Sequence, residues 1–280
     1  MTHSLVASPN REVLIGAGLP FCVIGECINP SGKPQLAAAM ASGDLAPIQA
    51  LALDQVEAGA AILDVNAGLS RAGAQGSEAA LLARIIKAVE DITDAPIAID
   101  SADPAALAAG LEACRGRPLL NSVSGQEDRL ELLLPLARKH DVAVVALCHD
   151  GTGISENPDT RFAIARMIVE RAQDHGISTR DVIVDPLVLP QGAPGSAAAQ
   201  LFPLVRRLAE ELKVNTICGA SNISFGHPDR AQRNAAFLRS AIENGLTSAI
   251  MNPLSGAEMD VVRSTPKAGS ARFPLDAKNS

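Results

Sequence analysis

Aromatic side chains are almost missing from this chain, which has no tryptophan, no tyrosine and six phenylalanines among its 280 residues. Proteins that bind single-stranded nucleic acid stack the bases on such rings. Positive charge is scarce too, because 24 lysines and arginines stand against 31 aspartates and glutamates, for a net charge of -7. A nucleic-acid-binding surface needs a basic face. The composition therefore predicts a protein without a nucleic-acid partner.

Long hydrophobic runs and paired cysteines are absent as well. No stretch approaches the roughly 18–20 uninterrupted apolar residues of a membrane-spanning helix. The start, MTHSLVASPNRE, lacks the pattern of a secretory signal. The five cysteines form no CxxC pair, and three of them lie inside apolar runs, as is typical of reduced, structural thiols. We therefore expect a cytoplasmic protein that does not contact a membrane.

What the chain has instead is a series of short apolar segments, each ending in a carboxylate, an amide or a hydroxyl. Such segments, rich in Val and Ile, are typical of strands buried on both faces of a parallel sheet. Amphipathic segments with helical spacing separate them. The apolar segments are Cys22–Glu26, Ala61–Asn66, Pro96–Ser101, Pro118–Ser124, Val142–Asp150, Asp181–Pro186, Thr216–Asn222 and, more weakly, Ser248–Pro253.

The spacing of these segments predicts an α/β fold, a single-domain (β/α)8 TIM barrel. Successive strand ends lie about 21 to 38 residues apart, which is the length of one strand–helix unit. The strand ends are taken as Glu26, Asp64, Asp100, Asn121, Asp150, Asp185, Asn222 and Asn252. An open dinucleotide-binding sheet is disfavoured, because no GxGxxG follows the first segment. We expect residues 11–20 to pair with the first strand as a hairpin at the barrel floor. The predicted organisation is an N-terminal extension at 1–20, a barrel at 21–263 and a polar tail at 264–280.

The polar residues that end the segments predict a site, because barrels of this kind carry their active sites at the carboxyl ends of the strands. Carboxylates accept two N–H groups at once, and amides donate and accept in one plane. Such a set suits a neutral, nitrogen-rich ring such as a pterin or a purine better than a phosphate, which calls for Lys, Arg or a Gly-rich turn. For any single one of these polar residues, the alternative role is to cap the helix that follows it. The candidates are Glu26, Asn29, Asp64, Asn66, Asp100, Ser101, Asn121, Ser122, His149, Asp150, Asp185, Asn222, Ser224 and Asn252.

Seven strings resemble, in the same order, those of the pterin-binding methyltransferases. The resemblance is greatest to methyltetrahydrofolate:corrinoid protein methyltransferases and to the folate domain of cobalamin-dependent methionine synthase. It extends from about Phe21 to Pro253. The strings are IGECINPSG, GAAILDVNAG, PIAIDS, LLNSVSG, VVALCHDGTG, VIVDPLVLP and GASNISFG.

The resemblance implies roles for individual residues. It implies that Asp100, Asn121 and Asp185 hold the pterin ring and that Asn222 contacts the pterin nitrogen that carries the methyl group. Cys27 is a departure, because it stands where the family often has the arginine of a GER string. The implied catalytic residues are Asn222 and Asp100, and the implied substrate-binding set is Asp64, Asn66, Asp100, Asn121, Asp185, Asn222, Ser224 and Glu26.

The implied activity moves a methyl group between methyltetrahydrofolate and the cobalt of a corrinoid protein, in a direction that the sequence leaves open. We expect the cobalamin on a separate partner protein, because the chain shows no second domain to hold it. The resemblance also implies a homodimer. No tightly bound metal is expected, because the five histidines are scattered without the spacing of metal ligands.

Two other functions stay open. A dihydropteroate synthase-like enzyme would share the barrel and the pterin pocket, but its pyrophosphate leaving group calls for basic residues. Of the lysines only Lys33 lies just beyond a predicted strand end. A non-catalytic folate-binding protein would keep the same pocket without activating the methyl group, and a fold alone does not separate binding from catalysis. A Schiff-base aldolase is disfavoured, because no lysine ends a segment.

Overall fold

Ten strands and nine helices lie within residues 2–68, 77–189, 197–265 and 268, which are the residues that the computed structural model describes. The strands are β1 (Ser4–Ala7), β2 (Glu12–Ile15), β3 (Cys22–Ile28), β4 (Ile62–Asn66), β5 (Ile97–Asp100), β6 (Leu119–Ser124), β7 (Ala143–Leu147), β8 (Val182–Asp185), β9 (Asn215–Thr216) and β10 (Ser248–Met251). The helices are α1 (Pro34–Ser42), α2 (Ala46–Ala58), α3 (Glu78–Glu90), α4 (Pro104–Ala113), α5 (Glu127–His140), α6 (Pro158–Asp174), α7 (Ala197–Arg207), α8 (Arg230–Glu243) and α9 (Gly256–Ser264). Single turns of 3-10 helix at Thr179–Asp181 and Ala220–Ser224, and a π-helical turn at Leu208–Leu212, complete the description.

The predicted TIM barrel is confirmed. Eight parallel strands pair in the order β10-β3-β4-β5-β6-β7-β8-β9, each with its neighbour along the chain except for β10, which returns to β3. The last seam, between β9 and β10, is closed by a parallel bridge from Gly219 to Ile250. There the backbone N–H of Ile250 donates to the carbonyl of Cys218 at 2.9 Å. No described helix is long and apolar enough to cross a membrane.

The alternation of side chains along the strands places an apolar layer and a polar layer inside the barrel. Ile24, Ile62, Ala98, Leu119 and Ile183 belong to one buried cluster in the barrel interior. Successive strand residues point to opposite faces, so the residue two positions later on each strand also faces inward. Those residues are Glu26, Asp64, Asp100, Asn121 and Asp185. A polar layer therefore lies directly above an apolar one, at the carboxyl ends of the strands.

The hairpin at the barrel floor is confirmed, but its predicted pairing was wrong. β2 pairs antiparallel with β1, with Ser4 opposite Ile15, and not with the first barrel strand. The connecting sequence Ser-Pro-Asn-Arg forms a tight turn. Val6 and Ile15 are fully buried within the interior cluster. Burial of these two side chains against the barrel interior favours the β1–β2 pairing and covers the amino ends of the strands.

Several helix boundaries follow the sequence closely. Helix α2 ends at Ala58, and the glycine after it, Gly59, has a φ of 112° that ends the helix. Asp103 and Asn157 cap α4 and α6, each with a proline in the first turn. The boundaries at residues 20 and 263 stay predictions. Residues 266–267 and 269–280 of the predicted tail lie outside the described residues.

Candidate functional site

Two irregularities in the sheet occur where polar residues reach the mouth of the barrel. The pairing of β3 with β4 shifts register between Gly25 and Ile28, and that of β6 with β7 shifts between Leu120 and Val123. In each pair the strand that comes earlier in the chain, β3 or β6, has one extra residue relative to its partner, as in a β-bulge. A bulge turns the side chains at the end of a strand. These shifted stretches carry Glu26 and Asn121. The sheet is therefore irregular at two of the predicted site residues.

Four predicted site residues form a hydrogen-bonded network across three neighbouring strands. The side-chain amide of Asn121 donates to Asp64 Oδ1 at 3.0 Å, and that of Asn66 donates to Asp100 Oδ2 at 2.9 Å. The amide oxygen of Asn66 is itself occupied, because it accepts from the backbone N–H of Gly68 at 2.8 Å. Each amide therefore has one defined orientation and faces one carboxylate.

The two carboxyl groups of this network also interact electrostatically. Burial raises the pKa of Asp64 well above its usual range, and the nearby Asp100 raises it further. Burial likewise raises the pKa of Asp100. Two buried carboxylates close together disfavour each other's ionisation, so this pair takes up protons more readily than isolated carboxylates do.

Asp185 is a third buried carboxylate, at the end of β8 with 8% of its surface exposed. Its Oδ1 accepts from the backbone N–H of Leu187 at 2.7 Å. Burial raises its pKa to about 7. Leu187 has a φ of 66°, a left-handed conformation that is costly for leucine. That conformation is part of the turn that holds Asp185 in place.

A cleft of about 320 Å³ opens beside Asp100 at the ends of β5, β6 and β7. Pockets for small ligands have volumes of about 300–1,000 Å³, so this cleft has room for a bicyclic ring. The guanidinium of Arg129 lies on its wall and donates to the carbonyl of Ala102 at 2.8 Å. The lining residues are Asp100, Ser101, Ala102, Ser122, Ser124, Gln126, Arg129, Leu147 and His149.

Asn222 lies on a turn and not at a strand end, so that part of the prediction was wrong. β9 ends at Thr216, and Ala220–Ser224 forms a 3-10 turn. Serine and asparagine favour local hydrogen bonding of this kind over a sheet ladder. Asn222 is exposed, and its amide nitrogen lies 2.9 Å from the point that a Cβ on Gly219 would occupy. The missing side chain at Gly219 is what makes room for this amide.

Glu26 meets the same turn from the opposite side of the seam. Its Oε1 accepts from the hydroxyl of Ser221 at 2.8 Å, and burial raises its pKa. Ser224 is fully buried, and its hydroxyl donates to the carbonyl of Ser221 at 3.3 Å and accepts from Arg230 Nε at 3.1 Å. Ser224 is thus engaged within the turn, and its contact with substrate stays a prediction. Sequence reasoning missed Ser221, which lies inside the string GASNISFG, and Arg230, which no motif marks.

The surroundings of Cys27, the departure from the family pattern, are unlike those of a catalytic thiol. Its thiol donates to Asn252 Oδ1 at 3.3 Å, and only 7% of the residue is exposed. Burial raises the pKa of the thiol to about 11, so the nucleophilic thiolate is rare at neutral pH. The described residues also contain no group of three or more His, Cys, Asp and Glu side chains arranged to hold a metal ion.

Comparison with known sequences identifies relatives over most of the chain. Residues 25–252 match the family described as "Pterin binding enzyme". Methylcorrinoid:tetrahydrofolate methyltransferase of Eubacterium limosum is 31% identical over 246 residues, which covers 87% of this chain and 89% of that protein. Methionine synthase of Mycobacterium tuberculosis is 31% identical over 243 residues, covering 82% of this chain but 20% of that enzyme. The chain thus spans about a fifth of the methionine synthase.

Solved structures with the same architecture include dihydropteroate synthases. The enzyme of Vibrio fischeri ES114 superimposes with a TM-score of 0.68 at 17% identity, over 92% of this chain and 96% of that one. The enzyme of Xanthomonas albilineans with 4-aminobenzoic acid gives a TM-score of 0.67 at 21% identity, over 93% and 96%. At these identities the likeness establishes the fold alone.

Proposed function

The chain belongs to the pterin-binding enzyme family, and from that premise we propose that it transfers a methyl group between methyltetrahydrofolate and the cobalt of a corrinoid protein. The main support is the layer of buried carboxylates and amides at the barrel mouth, with the Asn222 turn at its edge. The methylcorrinoid:tetrahydrofolate methyltransferase of Eubacterium limosum, a relative along nearly its whole length, supports the same reaction. The direction of transfer is left open.

The donor and acceptor pattern of the mouth fits a pterin ring. A pterin presents parallel N–H donors along its amidine edge, and a carboxylate accepts such a pair in one plane. Asp185 and Asp100 offer that acceptor geometry, and Asn121 adds an amide beside them. Among the described residues no salt bridge reaches Asp64, Asp100 or Asp185. Buried carboxylates without a cation therefore gain from N–H donors that a ligand brings.

The proposed reaction requires a hydrogen-bond donor at the pterin nitrogen that carries the methyl group. When the methyl group leaves as a cation equivalent, the pterin nitrogen keeps the electron pair of the broken bond and takes up a proton. The amide of Asn222 donates to that nitrogen and favours the transition state over the ground state. The proton comes from solvent, to which the Asn222 side chain is exposed. The cobalt of the partner's corrinoid accepts the methyl group, or donates it in the reverse direction.

The decisive experiment mixes the protein with methyltetrahydrofolate and cob(I)alamin without oxygen and follows the corrinoid absorbance. We expect the cob(I)alamin spectrum to be replaced by that of methylcobalamin. Tight binding of the pterin with no transfer in either direction would instead identify a folate-binding protein. Condensation of a pterin pyrophosphate with 4-aminobenzoate would identify a dihydropteroate synthase. Each outcome selects one of the three functions.

We also propose a corrinoid protein as partner, a homodimeric assembly and a cytoplasmic location. The first follows from the reaction, and the second from the family resemblance. All five cysteines are unpaired, which is usual in a reducing compartment. Gel filtration with light scattering tests the dimer, because a monomer at micromolar concentration would contradict it.

A further inference from the structure

Arg230 holds the Asn222 turn from outside. It is the first residue of α8, and its guanidinium makes hydrogen bonds to residues on both sides of Asn222. Nη2 donates to the carbonyl of Ser221 at 3.0 Å, and Nε donates to the hydroxyl of Ser224 at 3.1 Å. A guanidinium is planar and presents its donors in a fixed fork. The two contacts therefore fix the separation between the two ends of the turn.

The other side of the turn is tied to β3. Ser221 donates to Glu26 Oε1 at 2.8 Å, so the turn is held between α8 and the first barrel strand. Burial raises the pKa of Glu26, while the Ser221 hydrogen bond and the charges of Lys33 and Arg230 act against that rise. Glu26 and Arg230 thus hold the turn through Ser221 from opposite directions and also interact electrostatically.

The turn is a short 3-10 helix with long hydrogen bonds at its two ends. Within it the N–H of Asn222 donates to the carbonyl of Gly219, and the N–H of Phe225 donates to Asn222, both at 3.2 Å. Ala220 and Ile223 are buried in the core, whereas Asn222 is exposed and Phe225, the residue after the turn, is 71% exposed. A single 3-10 turn has poor hydrogen-bond geometry. The hydrogen bonds of Arg230 and Glu26 with the turn therefore add to this packing in fixing the backbone on either side of Asn222.

We propose that Arg230 is a positioning residue for methyl transfer, which with Glu26 and through Ser221 holds the Asn222 amide where the pterin nitrogen is bound. Arg230 does not touch the substrate in this role. The proposal rests on the proposed function and adds a residue to it. A displacement of about 1 Å at a reacting group costs roughly 100-fold in rate, so a modest loosening of the turn has a large kinetic effect.

The test separates turnover from binding in variants of Arg230. We expect Arg230→Ala to lower kcat by about 10- to 100-fold and to leave the dissociation constant of methyltetrahydrofolate, measured by calorimetry, within about threefold of wild type. Arg230→Lys should recover only part of the rate, because an ammonium group cannot reproduce the fork. Arg239→Ala, which removes an exposed arginine from the same helix, is the control and should keep full turnover. Thermal melting of each variant checks that it is folded.

A double-mutant cycle identifies the path of the effect. If Arg230 acts through Asn222, then Arg230→Ala should cause no further loss in an Asn222→Ala background. Additive losses, an unchanged kcat in Arg230→Ala, or a dissociation constant that rises as much as kcat falls would each overturn the positioning role. A wild-type protein that binds the pterin but transfers no methyl group overturns the proposed function and this role together. A wild-type protein that transfers normally leaves the variants to decide the positioning role alone.

Discussion

At the floor of the barrel, Asn215 and Arg117 have partners within the chain, whereas at the mouth no salt bridge among the described residues reaches Asp64, Asp100 or Asp185. Asn215 donates to the hydroxyl of Ser4 and to the carbonyl of Ile15, both at 2.9 Å. Arg117 pairs with Asp181 at 3.0 Å, also at the floor. Above the apolar layer, burial raises the pKa of Asp64, Asp100 and Asp185. The floor contacts thus stabilise the fold, whereas the carboxylates at the mouth form the proposed ligand site.

The largest expected effect concerns catalysis at the mouth. Replacing Asn222 with alanine should lower the methyl-transfer rate by about 100- to 1,000-fold, as is usual when one transition-state hydrogen bond is lost. Pterin affinity should change by less than about threefold, because the bond to the nitrogen strengthens only as the methyl group leaves. Leu14→Ala, at an exposed floor position, serves as the control and should keep the full rate. Equal losses of rate and affinity would mean that Asn222 only binds.

The next prediction concerns Asp185, where one substitution should lower pterin affinity and raise the stability of the unliganded protein. Asp185→Asn keeps the shape but loses the charge, so pterin affinity should fall by about 100-fold, the value of charge-assisted hydrogen bonds. Because the pKa of Asp185 is raised from 3.8 to about 7 in the folded protein, its favourable contribution to stability is present below pH 4 and is lost as the pH rises through 7.

The unliganded Asp185→Asn variant should therefore be more stable than wild type at pH 8, by at most about 4 kcal/mol. The gain should shrink steadily as the pH is lowered toward 4. Urea unfolding at several pH values measures it. A variant that is less stable than wild type at pH 8 would show that the Asp185 carboxylate does not destabilise the folded protein. The contrast between a stabilising floor and a destabilising mouth would then be wrong.

A floor substitution should show the opposite pattern. Asn215 is 3% exposed, and alanine there leaves the carbonyl of Ile15 and the hydroxyl of Ser4 without their donor. We expect a loss of about 2–3 kcal/mol in the free energy of unfolding, the cost of buried unsatisfied groups. Pterin affinity and transfer rate should be unchanged at temperatures where the variant is folded. Denaturation together with calorimetric titration measures both, and an altered affinity would break the separation of the two ends.

The smallest expected effect tests whether every polar residue at the mouth contributes to ligand binding. Asp103 follows β5, and its Oδ1 accepts from the backbone N–H of Ala105 at 2.9 Å as the cap of α4. Asp103→Ala should cost about 1 kcal/mol of stability and leave pterin affinity within about twofold. Asp103→Asn, which keeps the cap, is the matched control. A tenfold loss of pterin affinity in the alanine variant alone would show that the ligand site includes the helix-capping residue Asp103.

Local patterns were sufficient for the barrel and for most of the mouth. Apolar segments at the spacing of strand–helix units predicted the fold, and two-residue alternation above Ile62, Ala98 and Ile183 places their carboxylates inside. The floor hairpin was mispaired in the prediction, because its register depends on burying Val6 and Ile15 in an interior that exists only after the barrel closes.

The Asn222 turn was missed for a related reason. The apolar run before it reads as a continuous strand, but the barrel closes through the bridge from Gly219 to Ile250, which joins distant parts of the chain. Arg230 lies nine residues beyond Ser221, and no periodicity links the two. Contacts that depend on closure of the fold were therefore outside the reach of sequence patterns.

The raised pKa values of the buried carboxylates Asp64, Asp100 and Asp185 at the mouth also bear on how long the protein survives in a cell. A ligand that binds only the folded chain stabilises it, by about 2.7 kcal/mol at a hundredfold excess over its dissociation constant. Proteases remove chains in proportion to the time they spend unfolded. Under the proposed function, a protein that its ligand stabilises in this way would accumulate when folate is plentiful and be degraded when folate is scarce. Its abundance would follow the supply of the proposed substrate without any dedicated regulator.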